Sequence, residues 1–317
     1  MPSANQPGLP KRVLLREDGP REGFQMQQQV FPTAQKVELI DRLSRTGVKS
    51  IEVTSFVRPD RVPQLADAEQ VIQAFTAAPG VRYRALYLNE KGFERALASP
   101  KIQPEGYVLL AASEEFLKRN NNQTLEQALD QLETWTKLFS KHQLPFERVM
   151  LSTAFGDSFS GRIAPETVLN LCARLLERCQ ILGLPPQEIT FADTTGYGNP
   201  EAVKKLIGGF RQRWPEVAVG LHLHDTRGTG MANVYAGLEL GVERFDCSVA
   251  GLGGCPFAKG AAGNVPTEDV AFMCAELGIE TGIYLEEYVE TARFAEQLVG
   301  RPLPGKLKTG GLLIRDA

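Results

Sequence analysis

Eight short apolar runs recur along the chain, and a helical pattern follows each of them. The runs are Arg12–Arg16, Val48–Thr54, Val81–Tyr87, Tyr107–Ala112, Arg148–Thr153, Glu188–Ala192, Val217–His222 and Arg244–Ser248. Their length and their content of Val, Ile, Leu and aromatic residues are those of buried strands. Between them, apolar residues recur at helical spacing, as at Val37, Leu39, Ile40 and Leu43, with Gly47 as a stop signal. Helices are predicted over 33–47, 64–77, 90–98, 124–142, 165–183, 200–213, 229–240 and 267–277, with one more over 283–299. The polar stretch Ser113–Gln123 carries Arg119 and reads as a connection, and 301–317 reads as loop or lid.

Eight strand–helix repeats in 317 residues predict an α/β chain folded as a (β/α)8 TIM barrel with an additional C-terminal helical segment. A doubly wound open sheet is the alternative. No Gly-x-Gly-x-x-Gly follows the first strand, which counts against a dinucleotide fold. Residues 1–11, Pro/Gly-rich and polar, read as a flexible N-terminus. Residues 12–317 read as a single barrel domain, with 283–317 its C-terminal helix and tail.

A hydrophobic content of 43% supports a large core, and a net charge of −3 is spread along the chain. No basic block suggests nucleic acid, and no run is long enough to span a bilayer. The N-terminal residues lack the apolar stretch of a signal peptide. Five cysteines, Cys172, Cys179, Cys247, Cys255 and Cys274, have no framework spacing and fit reduced thiols in a cytoplasmic protein.

The unusual polar residues gather at one kind of place. Glu17, Arg21 and Glu22 follow strand 1, and Glu52 lies on strand 2. Asp193 ends strand 6, His222 and His224 end strand 7, and Cys255 and Asn264 follow strand 8. In a barrel, the C-terminal ends of the strands form the catalytic face. The chain has three histidines, and two of them stand at i and i+2 on one strand, so both imidazoles face the same way. Two imidazoles, a carboxylate and an amide oxygen would suit Mg²⁺ or Mn²⁺ better than a structural Zn²⁺. Arg21 suits an enolate or carboxylate oxygen, and Cys255 suits an acid, a base or a nucleophile. Such a set fits a metal-dependent aldolase or lyase.

Plainer roles compete for each residue. The two histidines would serve as polar groups satisfied by neighbours, and Glu17 and Glu52 as carboxylates holding Arg or Lys. Asp193 would serve as a helix-entry cap and Cys255 as a packed thiol. Turn chemistry alone is the plain reading of Gly251–Asn264, but five glycines in fourteen residues exceed what one turn needs.

The motifs Asp18-Gly-Pro-Arg-Glu-Gly-Phe-Gln25, Ile51-Glu-Val-Thr-Ser-Phe-Val57 with Val62-Pro-Gln64, Asp193-Thr-Thr-Gly196, His222-Leu-His-Asp-Thr226, and Gly251-Leu-Gly-Gly-Cys-Pro-Phe-Ala258 with Gly263-Asn264 and Thr267-Glu-Asp269 span nearly the whole chain. In these the sequence resembles the 3-hydroxy-3-methylglutaryl-CoA lyase family, within the barrel metallolyases that include isopropylmalate and citramalate synthases. The resemblance implies cleavage of a 3-hydroxy-3-methylacyl-CoA to acetyl-CoA and a keto acid by retro-Claisen chemistry. It implies Mg²⁺ or Mn²⁺ held by Glu22, His222, His224 and Asn264. It implies Arg21 on the enolate oxygen, Cys255 as proton donor or relay, and Glu52 and Asp193 as polar site residues. The family's barrels are often dimers, and the last helix is the candidate interface here. Asn89, Lys91 and Arg119, read as loop residues, are candidates for contacts to CoA.

Two positions depart from the family pattern. Glu22 stands where the family has aspartate, and its extra methylene is worth about 1.5 Å of reach. After strand 5, Thr153-Ala-Phe-Gly-Asp157 replaces a Gly-Cys-Pro loop. Alternatives are therefore a citramalyl-CoA lyase, a lyase for a longer branched 3-hydroxyacyl-CoA, or a non-catalytic acyl-CoA-binding barrel.

Overall fold

The computed structural model describes residues 8–254 and 262–313. Eight parallel strands run in chain order: β1 Leu14–Glu17, β2 Ser50–Ser55, β3 Arg82–Leu86, β4 Tyr107–Ala111, β5 Arg148–Ser152, β6 Glu188–Asp193, β7 Ala218–Leu223 and β8 Arg244–Cys247. The helices are α1 Thr33–Leu43, α2 Ala68–Ala74, α3 Glu90–Ala98, α4 Glu114–Asn121, α5 Leu125–Lys141, α6 Pro165–Ile181, α7 Pro200–Arg213, α8 Gly230–Glu239, α9 Thr267–Glu276, α10 Leu285–Val299 and α11 Leu307–Gly310. The chain divides into two compact units. One holds the described residues 8–10 and 105–244; the other holds 11–104, 245–254 and 262–313.

In the second of these units the strand order is β3-β2-β1-β8. Arg16 pairs with Ser50 and Glu17 with Ile51, while β2 and β3 pair from Ser50↔Arg82 to Ser55↔Leu86 with a register shift between Glu52 and Thr54. Every residue of β2 is buried, as parallel strands covered on both faces must be. Leu39, Ile40 and Leu43 on α1 are fully buried beneath the sheet's outer face.

In the unit 105–244 the order is β4-β5-β6-β7, paired in parallel throughout. The register of β6 on β7 sets Ala192 beside His222 and Asp193 beside Leu223. Thr124 and Gln127 form a reciprocal capping box that starts α5, inside the helix predicted over 124–142. Each unit thus carries four strand–helix repeats, which together are the eight of a (β/α)8 barrel, and α10 and α11 are the added C-terminal helices.

Three predictions are corrected here. Ser113–Gln123 is not simply a connection: Ser113 accepts from the Phe116 amide at 3.1 Å and caps α4. Its acidic first turn and basic last turn suit the helix dipole, but it lacks the apolar stripe that would reveal it by periodicity. The helix over 64–77 is shorter: a single turn at Pro63–Leu65 precedes α2, and Asp67 between them accepts from Thr33 and Lys36. The tail forms α11, whose start is fixed by Asp269 accepting from the Lys306 and Leu307 amides, each at 2.8 Å.

Candidate active site

The turn after β1 carries the first cluster. Gly19–Gly23 is one wide helical turn of the π type, a form often found at functional sites, and Pro20 fixes its start. Asp18 closes it by accepting the Arg21 and Glu22 amides through its carbonyl, at 3.1 and 2.8 Å. Leu252 packs against the last residue: a Cβ on Gly23 would meet Leu252 Cγ at 2.5 Å, so this turn cannot seat a larger residue there.

Arg21 donates its Nε hydrogen to Glu52, and its Nη2 lies 3.3 Å from Glu22 Oε2. Burial works against the guanidinium charge, but Glu52, Glu22 and Asp18 outweigh it and raise the Arg21 pKa further above its ordinary value. Arg84 on β3 braces the cluster from behind. It donates to Asp18 Oδ1 at 2.8 Å and to Ser50 Oγ at 2.8 Å, and lies 3.8 Å from Glu52. The Asp18 carboxyl is pushed up, chiefly by burial and then by Glu52 and Asp246, with Arg84 and Arg21 acting against the shift.

Asn264 is 1% exposed and donates its Nδ2 hydrogen to Glu22 Oε2 at 3.4 Å. Its carbonyl Oδ1 is buried with no hydrogen-bond partner among the described residues. A buried amide oxygen without a donor is costly, and a cation is one group that would satisfy it. Glu17 has a different job. Its carboxylate accepts from the Gly19 and Val249 amides at 2.8 and 2.9 Å, from Thr267 at 2.6 Å and from Tyr288. Burial raises its pKa, against those same hydrogen bonds. Among the described residues Glu17 pairs with no Arg or Lys; it ties β1 to the chain after β8 and to α10.

The unit 105–244 carries the histidines. His222 and His224 are both buried on β7, and their Nε2 atoms stand 3.2 Å apart. The i, i+2 geometry is therefore realised, with two nitrogens presented to one point. Asp193, at the end of β6, accepts from the Tyr197 and Gly198 amides at 2.8 and 2.9 Å. It caps the turn rather than the helix: Asn199 caps α7, accepting from Ala202 at 2.9 Å. Burial raises the Asp193 pKa, opposed by the two amides, His224 and Arg227. Arg227 donates to the carbonyls of Thr195 and Gly196 at 2.8 and 2.9 Å and so fixes the same turn.

Other expected residues fall differently. Cys255 lies outside the described residues. Asn89 is the N-cap of α3, accepting from Gly92 at 2.9 Å, and Lys91 lies in that helix. Arg119 is on α4, not a loop; it pairs with Glu115 at 2.6 Å and covers the Phe159 ring at 4.5 Å. The sequence reading missed Arg16, Arg84 and Asp246, all buried, with Arg16 and Asp246 paired at 3.4 Å. The signal was present: a charged side chain inside an otherwise apolar strand must face a polar interior or a partner.

Within the unit 105–244 the two imidazoles offer nitrogen ligands; within the other unit Glu22 and Asn264 offer oxygen ligands and Arg21 a carboxylate-braced guanidinium suited to a developing oxyanion. The HMGL-like family model matches residues 12–295. The chain is 38% identical over 300 residues to the cytoplasmic 3-hydroxy-3-methylglutaryl-CoA lyase of Homo sapiens, covering 95% of this chain and 79% of that protein. The crystal structure of hydroxymethylglutaryl-CoA lyase from Pseudomonas aeruginosa superposes with a TM-score of 0.87 at 37% identity, over 95% of this chain and 98% of that one. An HMG-CoA lyase from Acinetobacter baumannii, solved with coenzyme A and 3-methylmalate, has a TM-score of 0.84 at 35% identity, over 95% of each chain. The family's members are carbon–carbon lyases that depend on a divalent metal, and its fold is the (β/α)8 barrel. On its motifs, its fold and these matches, this chain belongs to the HMGL-like family.

Proposed function

We propose that this chain is a divalent-metal-dependent lyase that cleaves 3-hydroxy-3-methylglutaryl-CoA to acetyl-CoA and acetoacetate. The observation that carries the reading, within the family, is the convergence of the His222 and His224 Nε2 atoms at 3.2 Å. Glu22, His222, His224 and Asn264 would hold the ion, and the Oδ1 of Asn264, without a hydrogen-bond partner among the described residues, fits that role. A bound Mg²⁺ or Mn²⁺ would polarise substrate oxygens and make the C3 hydroxyl easier to deprotonate.

The protein's own groups supply the rest. Asp193, with its pKa raised by burial, is the candidate base for the C3 hydroxyl proton. The C2–C3 bond then breaks, leaving a ketone on C3 and an enolate on the acetyl-CoA fragment. Arg21, aimed by Glu52, faces the enolate oxygen and stabilises its charge. Cys255 returns a proton to the enolate carbon. On the same reading the substrate is an acyl-CoA, the enzyme is cytoplasmic, residues 12–317 act as one barrel domain, and α10 is the interface of a homodimer.

A second reading keeps the chemistry and changes the acyl group. Asp157, in the loop that departs from the family pattern, is fully buried and caps Phe159 and Ser160 through Oδ1, at 2.6 and 2.9 Å. A carboxylate in place of a thiol would alter what that loop accepts, and citramalyl-CoA is the nearest alternative. The test is a product assay with Mg²⁺ or Mn²⁺ on both substrates, run with and without a chelator. Acetoacetate from the first, lost on chelation, supports the proposal. Pyruvate from citramalyl-CoA alone moves the assignment to the second reading. No product from either acyl-CoA, together with no Mn²⁺ binding, sinks both.

A further inference from the structure

We propose that the tail segment Leu303–Lys308 is a clamp that sets the catalytic turn after β1, with Gly305 and Glu268 as its positioning residues. The clamp closes on Ala250. This residue is fully buried and sits in the left-handed region, at φ 56° and ψ 12°, which a side chain disfavours. Such a conformation persists only when its surroundings enforce it. Here both of its backbone groups are held: its N–H donates to Glu268 Oε2 at 2.9 Å, and its carbonyl accepts the Gly305 N–H at 2.9 Å.

Gly305 fits because it has no side chain. A Cβ there would collide with Glu268 Oε1 and approach Ala250 Cα to 3.1 Å. Its φ is not positive, so alanine at this site would be purely a steric wedge. The tail around it is anchored at several points. Leu303 donates its amide to Glu296 at 2.7 Å, Asp269 accepts from Lys306 and Leu307, and buried Lys308 pairs with Glu296. Leu303 and Leu307 are buried as well.

The held residue leads directly to the catalytic turn. The Val249 amide donates to Glu17, and the Leu252 amide donates to the Val249 carbonyl at 2.8 Å. Leu252 in turn packs on Gly23, the last residue of the turn that presents Arg21 and Glu22. In the other direction Gly254 and Gly263 meet backbone to backbone, where a Cβ on Gly263 would lie 2.6 Å from the Gly254 nitrogen, just before Asn264. Close-packed elements of this kind pass on displacements rather than absorb them. A shift at Ala250 therefore moves Leu252 and the Arg21–Glu22 turn.

The experiment uses the full chain and four variants: Gly305→Ala, Glu268→Ala, Glu268→Gln and the double change Glu268→Ala with Ala250→Gly. Its kinetic arm rests on the lyase reading; its second arm, amide hydrogen exchange, does not. Gly305→Ala and Glu268→Ala are expected to lower kcat about 10- to 100-fold per folded molecule, with KM changed by less than about threefold. Glu268→Gln keeps an oxygen acceptor and is expected to retain most of kcat. Glycine at 250 adopts the left-handed region without strain, so the double variant is expected to recover at least about fivefold of the loss. Exchange in Gly305→Ala and Glu268→Ala is expected to quicken over both 247–254 and 19–26, and to stay unchanged over 107–111 and 188–193. A wild type that cleaves no acyl-CoA sinks the lyase reading and leaves the exchange pattern to decide the clamp. If exchange quickens at 247–254 without change at 19–26, or if kcat per folded molecule stays at the wild-type value, the tail is structural only and the proposal fails.

Discussion

The Nε hydrogen of Arg21 points at the Glu52 carboxylate, and both side chains are nearly buried, at 13% and 6% exposure. A guanidinium held through Nε has its orientation fixed, which a lysine cannot reproduce because it lacks the planar fork. The pair therefore predicts a strong penalty for changes that keep charge or shape but lose direction. Arg21→Lys is expected to lower kcat by about 10²–10³-fold, the size of effect seen when an oxyanion donor is lost. Glu52→Gln is expected to cost about tenfold or more, since Arg84 still braces the site from 3.8 Å away. Steady-state kinetics on folded protein check both. A Glu52→Gln enzyme with wild-type kcat would show that Arg21 does not depend on this carboxylate.

Glu22 departs from the aspartate that the family resemblance leads one to expect, and it accepts from Asn264 at 3.4 Å and lies 3.3 Å from Arg21. If it ligates the ion, removing it should weaken Mn²⁺ binding by more than the roughly 10–100-fold typical of an outer-shell partner. Glu22→Ala is the variant for that measurement, by Mn²⁺ titration followed with electron paramagnetic resonance. Glu22→Asp restores the family's residue at a cost of about 1.5 Å of reach and is expected to keep affinity within about tenfold. Unchanged Mn²⁺ affinity in Glu22→Ala would remove this residue from the ligand set.

How much of this was legible in the sequence depends on the range of the interaction. The strand alternation, the long helix starting at Thr124 and the His222–His224 pair follow from local period and spacing, and all three are present. The role of Glu17 was not legible: its partners are Val249, Thr267 and Tyr288, more than 200 residues away in the chain. The α4 helix hid because it is stabilised by its cap and charge order rather than by an apolar stripe. Arg119 reads as a loop residue because α4 around it shows its start only through the Ser113 cap.

Glu268 predicts a pH dependence of stability. Burial, then the neighbouring charges of Asp269 and Glu17, push its pKa up to about 8 from 4.5. Between those values the folded state binds a proton that the unfolded chain has released. Stability therefore falls as pH rises from about 4.5 to about 8 and levels off above, by an amount on the order of a few kcal/mol. Glu17 and Asp18, also raised by burial, contribute with the same sign. Glu268→Gln removes this group's share, so its thermal midpoint should fall less steeply across that window than the wild type's. Equal slopes in the two proteins would mean that Glu268 does not hold its proton in the folded state.

The thiols give a prediction that needs no substrate. Cys172, Cys179, Cys247 and Cys274 are all buried. Burial lifts three of them, Cys172, Cys179 and Cys274, to about 12, and Cys247 is also raised well above its ordinary value. Thiolate, not thiol, is the reactive form, so these four are expected to be inert in the folded protein at pH 7.5. A catalytic Cys255 has to be reactive by comparison. Titration of the native protein with a disulfide reagent should therefore release a single equivalent quickly, and the remaining four only after denaturation. In Cys255→Ala the fast equivalent should vanish while the thermal midpoint stays within a few degrees of the wild type's and kcat falls by about 10²-fold or more. A fast equivalent that survives in Cys255→Ala would assign the reactive thiol to one of the four buried cysteines instead, and a kcat that survives would leave the enolate to be protonated by another group.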